Sequence, residues 1–193
     1  MKPQVGVLQP RSCDSRRKDV GWGCAGGGIS FFEAGVDAKR EAMLLMGPTG
    51  AGKTPLGEWL DAHGWAGRRC LHFDFGAQLR RVASGWRPPA LDDEDVAVVG
   101  HAIRTGALLE DNQFHIALAV LRAYQEERDA ASDDLLVMNG LPRHVGQARD
   151  VDAAAQIRTV IALECGPAVV MRRIASNAGG DRSGRVDDER AFI

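Results

Sequence analysis

A glycine-rich stretch, GPTGAGKT at residues 47–54, contains the residue types that could bind phosphate. It meets the pattern G-x-x-x-x-G-K-[ST], in which glycines let backbone N–H groups surround phosphate oxygens. The lysine of such a loop reaches the outer phosphates, and the hydroxyl that follows it can bind magnesium. The sequence therefore predicts a nucleotide phosphate site formed by Gly47, Gly50, Ala51, Gly52, Lys53, Thr54 and Pro55.

The segments on either side of this loop suit a phosphate site. The apolar run AMLLM precedes the loop as a strand would, and the helix-like segment PLGEWLDAHG follows it. A helix that starts directly after the loop adds its positive N-terminal end to the site. The alternative is a chance glycine-rich turn that binds nothing. The loop alone leaves open whether the nucleotide is hydrolysed, transfers its phosphoryl group or acts as a switch.

Four short apolar runs are separated by longer segments of helical character, which is typical of a parallel sheet with crossover helices. We therefore predict an α/β fold. The predicted strands are AMLLM at 42–46, CLHFDF at 70–75, LLVMNG at 135–140 and TVIALEC at 159–165. One helical segment carries an apolar stripe with Asp111 as its predicted cap. The residues of that stripe are Phe114, Ala117, Leu118 and Leu121.

Composition bounds the class of protein. The 193 residues suit one domain, and 24 Lys plus Arg against 26 Asp plus Glu provide no basic field for nucleic acid. Four scattered cysteines form no C-x-x-C pair, and no apolar run approaches the roughly 20 residues of a membrane helix. We expect a cytoplasmic monomer with no membrane partner. Residues 1–40 are predicted to be a flexible leader and residues 41–193 the folded core.

Four motifs follow the loop in a recognisable order. They are HFDFGAQLR at 72–80, IRTGALLED at 103–111, NGLPRHVGQA at 139–148 and GDRSGRVDDE at 180–189. With them the chain, from about Ala42 onward, resembles the nucleoside monophosphate kinases, in their adenylate kinase branch. The resemblance implies a P-loop three-layer parallel sheet with helices on both faces, a small helical acceptor-binding subdomain and a short mobile lid. It also implies reversible, Mg²⁺-dependent transfer of the γ-phosphoryl group of ATP to a nucleoside monophosphate. AMP is the first candidate for this acceptor.

The resemblance assigns an acceptor site to the first three motifs. Two arginines, Arg80 and Arg143, match those that hold the acceptor phosphate, and a guanidinium fork suits that task. Gln147 matches the glutamine that reads the adenine edge. The acceptor-binding set that the resemblance implies is Arg80, Ala107, Leu108, Leu109, Gly140, Arg143 and Gln147.

The last motif matches the lid. Arg185 matches the arginine that closes on the transferring phosphoryl group, and Arg182, three residues earlier, is the candidate for a second one. Arg173 matches the arginine that stacks on the ATP adenine, with the neighbouring Arg172 as the alternative. Glycines would let the lid open; they are Gly179, Gly180 and Gly184. The implied catalytic set is Lys53, Arg143, Arg182 and Arg185.

The chain departs from the family pattern in several places. Pro55 follows Thr54 in the first helical turn, where a missing N–H is tolerated. Phe75 replaces a threonine that touches the acceptor base, so that its ring would stack on a base or block it. Asn139 replaces the aspartate that anchors magnesium through water. The predicted metal contacts are therefore Thr54 and, through water, Asn139, which brings no negative charge.

The family also continues past the lid motif with a helix, a strand and a further helix. The resemblance therefore predicts that 41–193 lacks one strand of the sheet and one lid-side arginine, with little turnover as a result. Two alternatives stay open beside an AMP kinase. One is a P-loop kinase for another small acceptor, and the other is an inactive nucleotide-binding fragment.

Overall fold

The fold is built on a four-stranded parallel sheet. The structure, a computed structural model, describes residues 39–176, with the side chain of residue 174 excepted. The strands, in the order β2-β3-β1-β4, are all parallel, as the sequence predicts. Their bounds are β1 (Arg40–Met46), β2 (Cys70–Asp74), β3 (Leu135–Asn139) and β4 (Ala155–Ala162).

Six α-helices lie in the described range; five of them lie between strands, and the sixth follows β4. They are α1 (Lys53–His63), α2 (Phe75–Ala83), α3 (Asp93–Thr105), α4 (Phe114–Glu127), α5 (Val145–Ala154) and α6 (Pro167–Ser176). In residues 39–176 no helix combines the length and apolar character needed to cross a bilayer. Arg40 belongs to β1 and not to the predicted leader, of which residues 1–38 lie outside the described range.

Helices cover both faces of the sheet, because strand residues alternate between two buried clusters. Met43 and Val137 face α1, where Leu60 packs against them. The opposite face carries the larger cluster, which includes Leu44 of β1 and Val99 of α3. Because α2 and α3 contribute to this same cluster, they share the core of the sheet. The result is an α/β fold with helices on both faces.

Strand boundaries differ from the sequence prediction by one to four residues. The second strand ends at Asp74, and Phe75 begins α2, because the Asp74 side chain accepts the Ala77 N–H at 2.9 Å and caps the helix. The fourth strand starts at Ala155, four residues before the predicted run. It lies next to β1 at the edge of the described sheet, where its partly exposed pattern weakens the apolar signal.

The predicted core stripe of α4 is confirmed, but its predicted cap is wrong. Phe114, Ala117 and Leu121 are buried, and Leu118 packs against the same cluster. Asp111 instead begins a 3₁₀ turn (Asp111–Gln113), and its carboxylate lies 3.1 Å from His144 Nδ1. The N-cap residue of α4 is Gln113, and its side chain makes no capping hydrogen bond.

Side chains satisfy the backbone of β2 where the described sheet ends. The Tyr124 hydroxyl donates to the carbonyl of His72 at 2.8 Å, and the His72 N–H donates to Asp61 Oδ1 at 3.1 Å. Burial raises the pKa of Tyr124 to about 12, so the phenol remains a donor. The unpaired backbone of an edge strand can pair with another chain. At His72 these two hydrogen bonds engage both the N–H and the C=O group, so neither is left for such pairing.

The ring of His72 also fixes the residue type at position 57. Burial lowers the pKa of His72, so the imidazole is kept neutral against α1. A methyl group on Gly57 would overlap this ring. Gly57 is therefore the residue that lets α1 lie close to β2.

We predict that Gly57→Ala destabilises the protein by about 1–2 kcal/mol, because an overpacking cost of about 1–3 kcal/mol exceeds the gain of about 1 kcal/mol in helix propensity. The matched control is Gly100→Ala in α3, whose methyl group would meet only the flexible end of Arg104 at 3.3 Å. This control should stabilise the helix by up to about 1 kcal/mol. Urea unfolding of the three proteins measures both effects, and equal shifts for the two variants would contradict the clash.

Candidate nucleotide-phosphate site

The site lies at the carboxyl ends of three neighbouring strands. Leu45 of β1 pairs with Asn139 of β3, and Asn139 pairs with Asp74 of β2, so the three residues form one row across the sheet. Parallel α/β sheets bind ligands at this end of their strands. The row brings a carboxylate and an amide together directly beside the loop that follows β1.

The loop at residues 47–54 runs from β1 into α1. Gly47 has φ 136° and meets the backbone of Leu163, so that a side chain at this position would collide with the carbonyl of Leu163. Gly52 has φ 105° and precedes the first residue of α1. Because glycine has no side chain, Gly52 provides no capping hydrogen bond to the amide groups of the first turn of α1. The Ala51 N–H donates to Pro48 O at 3.1 Å and closes the turn.

Lys53 is the first residue of α1 and folds back over the loop. Its Nζ donates to the carbonyls of Gly47 at 2.7 Å and Pro48 at 2.8 Å. The ammonium group is thereby held above the loop, where outer phosphate oxygens would lie if the loop held a nucleotide. Pro55 is the third residue of α1, in the first turn, where its missing N–H removes no helix bond.

Thr54 meets the two polar residues of the strand row. Its hydroxyl donates to Asp74 Oδ2 at 2.8 Å, and Asn139 Nδ2 lies 3.1 Å from Thr54 Oγ1 and 2.9 Å from Asp74 Oδ2. Asn139 is 4% exposed. The hydroxyl, the carboxylate and the amide thus form one closed triangle, which we call the polar triangle.

Asp74 is the site residue that sequence reasoning missed. It stands in HFDFGAQLR, one of the motifs that carry the resemblance, and the only signal was an acidic residue inside a predicted apolar strand, next to its last residue. The carboxylate that Asn139 fails to supply on β3 is present on the adjacent strand β2, 2.9 Å from the Asn139 amide. The loss of negative charge expected from Asn139 is therefore compensated within the same site.

The polar triangle has the chemistry of a magnesium site. Mg²⁺ prefers oxygen ligands and keeps several waters, and it is held through one or two carboxylates together with substrate phosphates. Thr54 could offer its hydroxyl directly, while Asp74 and Asn139 could hold metal-bound water. In the described part of the chain no group of three or more His, Cys, Asp or Glu residues is arranged to bind a metal without such help.

Arg173 of α6 also contacts the loop at residues 47–54. Its Nη1 lies 3.2 Å from Ala51 O and 3.3 Å from Gly50 O. This guanidinium therefore sits beside the loop backbone, at the position from which it could contact a bound nucleotide. The lid residues expected beyond it, Arg182 and Arg185 with their glycines, lie outside the described residues.

The two arginines assigned to the acceptor phosphate lie on different elements of the fold. Arg143 is exposed, and its Nε donates to Gly140 O at 3.1 Å. On α2, Arg80 Nη1 and Asp74 Oδ1 each lie 3.4 Å from the point where a Cβ on Gly76 would be, so the Arg80 side chain turns toward the polar triangle. Arg80 thus belongs to the helix that follows β2, and Arg143 to the segment that follows the neighbouring strand β3.

Two residues expected at the acceptor base are turned inward. The Phe75 ring is 3% exposed and lies in the core, 6.1 Å from the ring of Phe73, so it neither stacks on nor blocks the acceptor region. Gln147 is 2% exposed, and backbone groups of Arg143 and Leu109 hold its side-chain amide. Of the predicted base-flanking residues, Ala107 and Leu108 are exposed and Leu109 is buried.

Comparison with known proteins gives no independent identification. No protein-family model matches the chain, and no curated protein matches its sequence.

Proposed function

We propose that this protein is a P-loop phosphotransferase that moves the γ-phosphoryl group of ATP to a small phosphorylated acceptor, with AMP as the first candidate. The observation that carries the proposal is the convergence of Lys53, Thr54 and Asp74 at the carboxyl ends of β1 and β2. A chance glycine-rich turn would not require an acidic side chain within hydrogen-bond distance of its threonine. The sequence motif and this juxtaposition are independent observations that favour the same chemistry.

The donor half of the site would act by position and charge. Loop amides and the N-terminal end of α1 would bind the phosphates of ATP, and Lys53 would exchange its two carbonyl partners for outer phosphate oxygens. The Mg²⁺ that accompanies ATP neutralises charge on the phosphates. Thr54, Asp74 and Asn139 would orient it, and Arg173 would contact the nucleotide from α6.

The acceptor half would hold a second phosphate in line with the first. Arg143 and Arg80 are the residues for this task, since a guanidinium group donates two parallel hydrogen bonds to a phosphate. An acceptor phosphate is already ionised near neutral pH, so no general base is needed. Alignment of the two phosphates and neutralisation of their charge would then accelerate the transfer.

A coupled assay of ADP formation from ATP plus AMP with Mg²⁺ tests the proposal. We expect formation of two ADP per ATP consumed, abolished when either nucleotide is omitted. ATP consumption that is independent of AMP would indicate hydrolysis and contradict phosphotransfer. Absence of ATP binding, measured by calorimetry, would contradict the P-loop assignment itself.

A kinase for another small acceptor is the second candidate. The observation that favours it is the internal engagement of Gln147, which leaves the assigned adenine reader bonded to the protein backbone. The same assay with other phosphorylated acceptors in place of AMP separates the two candidates.

We predict that Arg143→Ala raises the acceptor KM by roughly 10- to 100-fold, the effect of losing one charge-assisted hydrogen bond of about 1.5–3 kcal/mol. The ATP KM should change little, because the resemblance assigns Arg143 to the acceptor phosphate and the residue follows β3, outside the loop at residues 47–54. Arg149→Ala, at an exposed residue of the following helix α5, is the matched control. An acceptor KM unchanged in Arg143→Ala, or changed equally in both variants, would remove Arg143 from the site.

A further inference from the structure

The side-chain amide of Gln147 binds the protein backbone through both its oxygen and its nitrogen. Its Oε1 accepts the Arg143 N–H at 2.9 Å, and its Nε2 donates to the carbonyl of Leu109 at 3.0 Å. The residue is 2% exposed, so neither bond competes with bulk water. A buried amide that is bonded at both its oxygen and its nitrogen resists rearrangement, because breaking the bonds leaves the amide and its two backbone partners unsatisfied.

A second side chain reinforces the same connection. His144 Nε2 lies 3.3 Å from the Leu109 carbonyl, and His144 Nδ1 lies 3.1 Å from Asp111 Oδ1. Gln147 and His144 thus tie residues 109–111 to the start of α5, across more than thirty residues of sequence. We call these contacts the acceptor clamp.

The clamp joins two segments that both belong to the acceptor side. Residues 107–109 would flank the acceptor, and Arg143 would bind its phosphate. Because Gln147 contacts the backbone of both Arg143 and Leu109, its position sets the distance between them. Reading the edge of a base would require Gln147 to leave both partners, and Phe75, the other residue expected at the base, faces the core.

We propose that Gln147 is a positioning residue that holds residues 107–109 against Arg143. The protein then selects its acceptor by the phosphate and not by the identity of the base. The substrate class is then nucleoside monophosphates in general. This inference rests on the proposed function, because it concerns the acceptor of that reaction.

Acceptor kinetics test the selectivity. With AMP, GMP, CMP and UMP at saturating ATP, we expect kcat/KM values of the wild-type protein to agree within about tenfold, as a site without hydrogen bonds to the base implies. Gln147→Glu keeps an acceptor for the Arg143 N–H and loses the donor to Leu109. It should raise all four KM values by a common factor of at least about ten, because the buried hydrogen bond to Leu109 is lost and a carboxylate oxygen replaces the donor beside that carbonyl. A wild-type preference of more than about 100-fold for one base, or a variant that changes the order of preference, would overturn the inference.

Hydrogen exchange tests the clamp without any substrate. In the unliganded protein, Gln147→Met should accelerate exchange of the amides at residues 107–111, while Gln156→Met, at an exposed position of β4, should not. Unchanged exchange in Gln147→Met would refute the clamp. If none of the four monophosphates is phosphorylated, the proposed function fails, whereas the exchange result still supports or refutes the positioning role of Gln147.

Discussion

Replacing Lys53 by alanine is expected to lower phosphoryl transfer sharply and to weaken ATP binding. Lys53 Nζ is the ammonium group held over the loop, 2.7 Å from Gly47 O and 2.8 Å from Pro48 O. Removing one donor to charge that develops in the transition state lowers turnover by about 10²–10³-fold. Loss of a charge-assisted hydrogen bond should also weaken ATP binding by at least about tenfold.

Lys39→Ala is the matched control, because Lys39 precedes β1 at the opposite end of the sheet and donates to Asp152 O. It should leave turnover and ATP affinity unchanged. Calorimetric titration of ATP and the coupled ADP assay measure the two effects, and urea unfolding checks that both variants are folded. Equal ATP affinity and equal turnover in Lys53→Ala and the wild-type protein would refute the P-loop assignment.

Replacing Asp74 by asparagine is expected to lower turnover by about 10- to 100-fold, the usual effect of removing a partner that orients a metal ion. Asp74 is the negative charge of the polar triangle, bonded to Thr54 and Asn139. Asparagine is also a favoured helix cap, so the bond to Ala77 N that begins α2 can persist and the fold should be retained. The loss should be largest at limiting Mg²⁺ and smaller at saturating Mg²⁺.

The double variant Asp74→Asn/Asn139→Asp provides the sharper experiment. It moves the carboxylate to the paired position on β3 and keeps the composition of the triangle. If the charge and not the residue at 74 matters, the double variant should recover part of the activity that Asp74→Asn loses. Wild-type activity of Asp74→Asn at every Mg²⁺ concentration would show that the triangle has no role in phosphotransfer.

Interactions between residues close in sequence were predictable. The apolar runs predicted three of the four strands closely, and spacings of three and four predicted the buried stripe of α4, since both patterns reflect burial of one side of a local element. The loop at residues 47–54 was located because its residues are consecutive. Asp111 was misplaced because a 3₁₀ turn intervenes before α4, and no local pattern revealed that turn.

Contacts between distant elements were not predictable from the residues themselves. Asp74 could be recognised as a site residue only when the register of β2 against β3 placed it beside Asn139. The orientation of Phe75 was also not predictable, because the first turn of α2 directs its ring into the core. The role of Gln147 depends on a contact between its side chain and the backbone of Leu109, 38 residues away in the sequence.

The sequence by itself determined the parallel α/β class, the approximate strands and the loop with Lys53 and Thr54, because periodicity and motif are properties of neighbouring residues. Only the tertiary structure decided that the site has its carboxylate on β2 and that Gln147 binds backbone. Strand register and long-range approach follow from the packing of the whole core, in which each cluster must fill its side of the sheet.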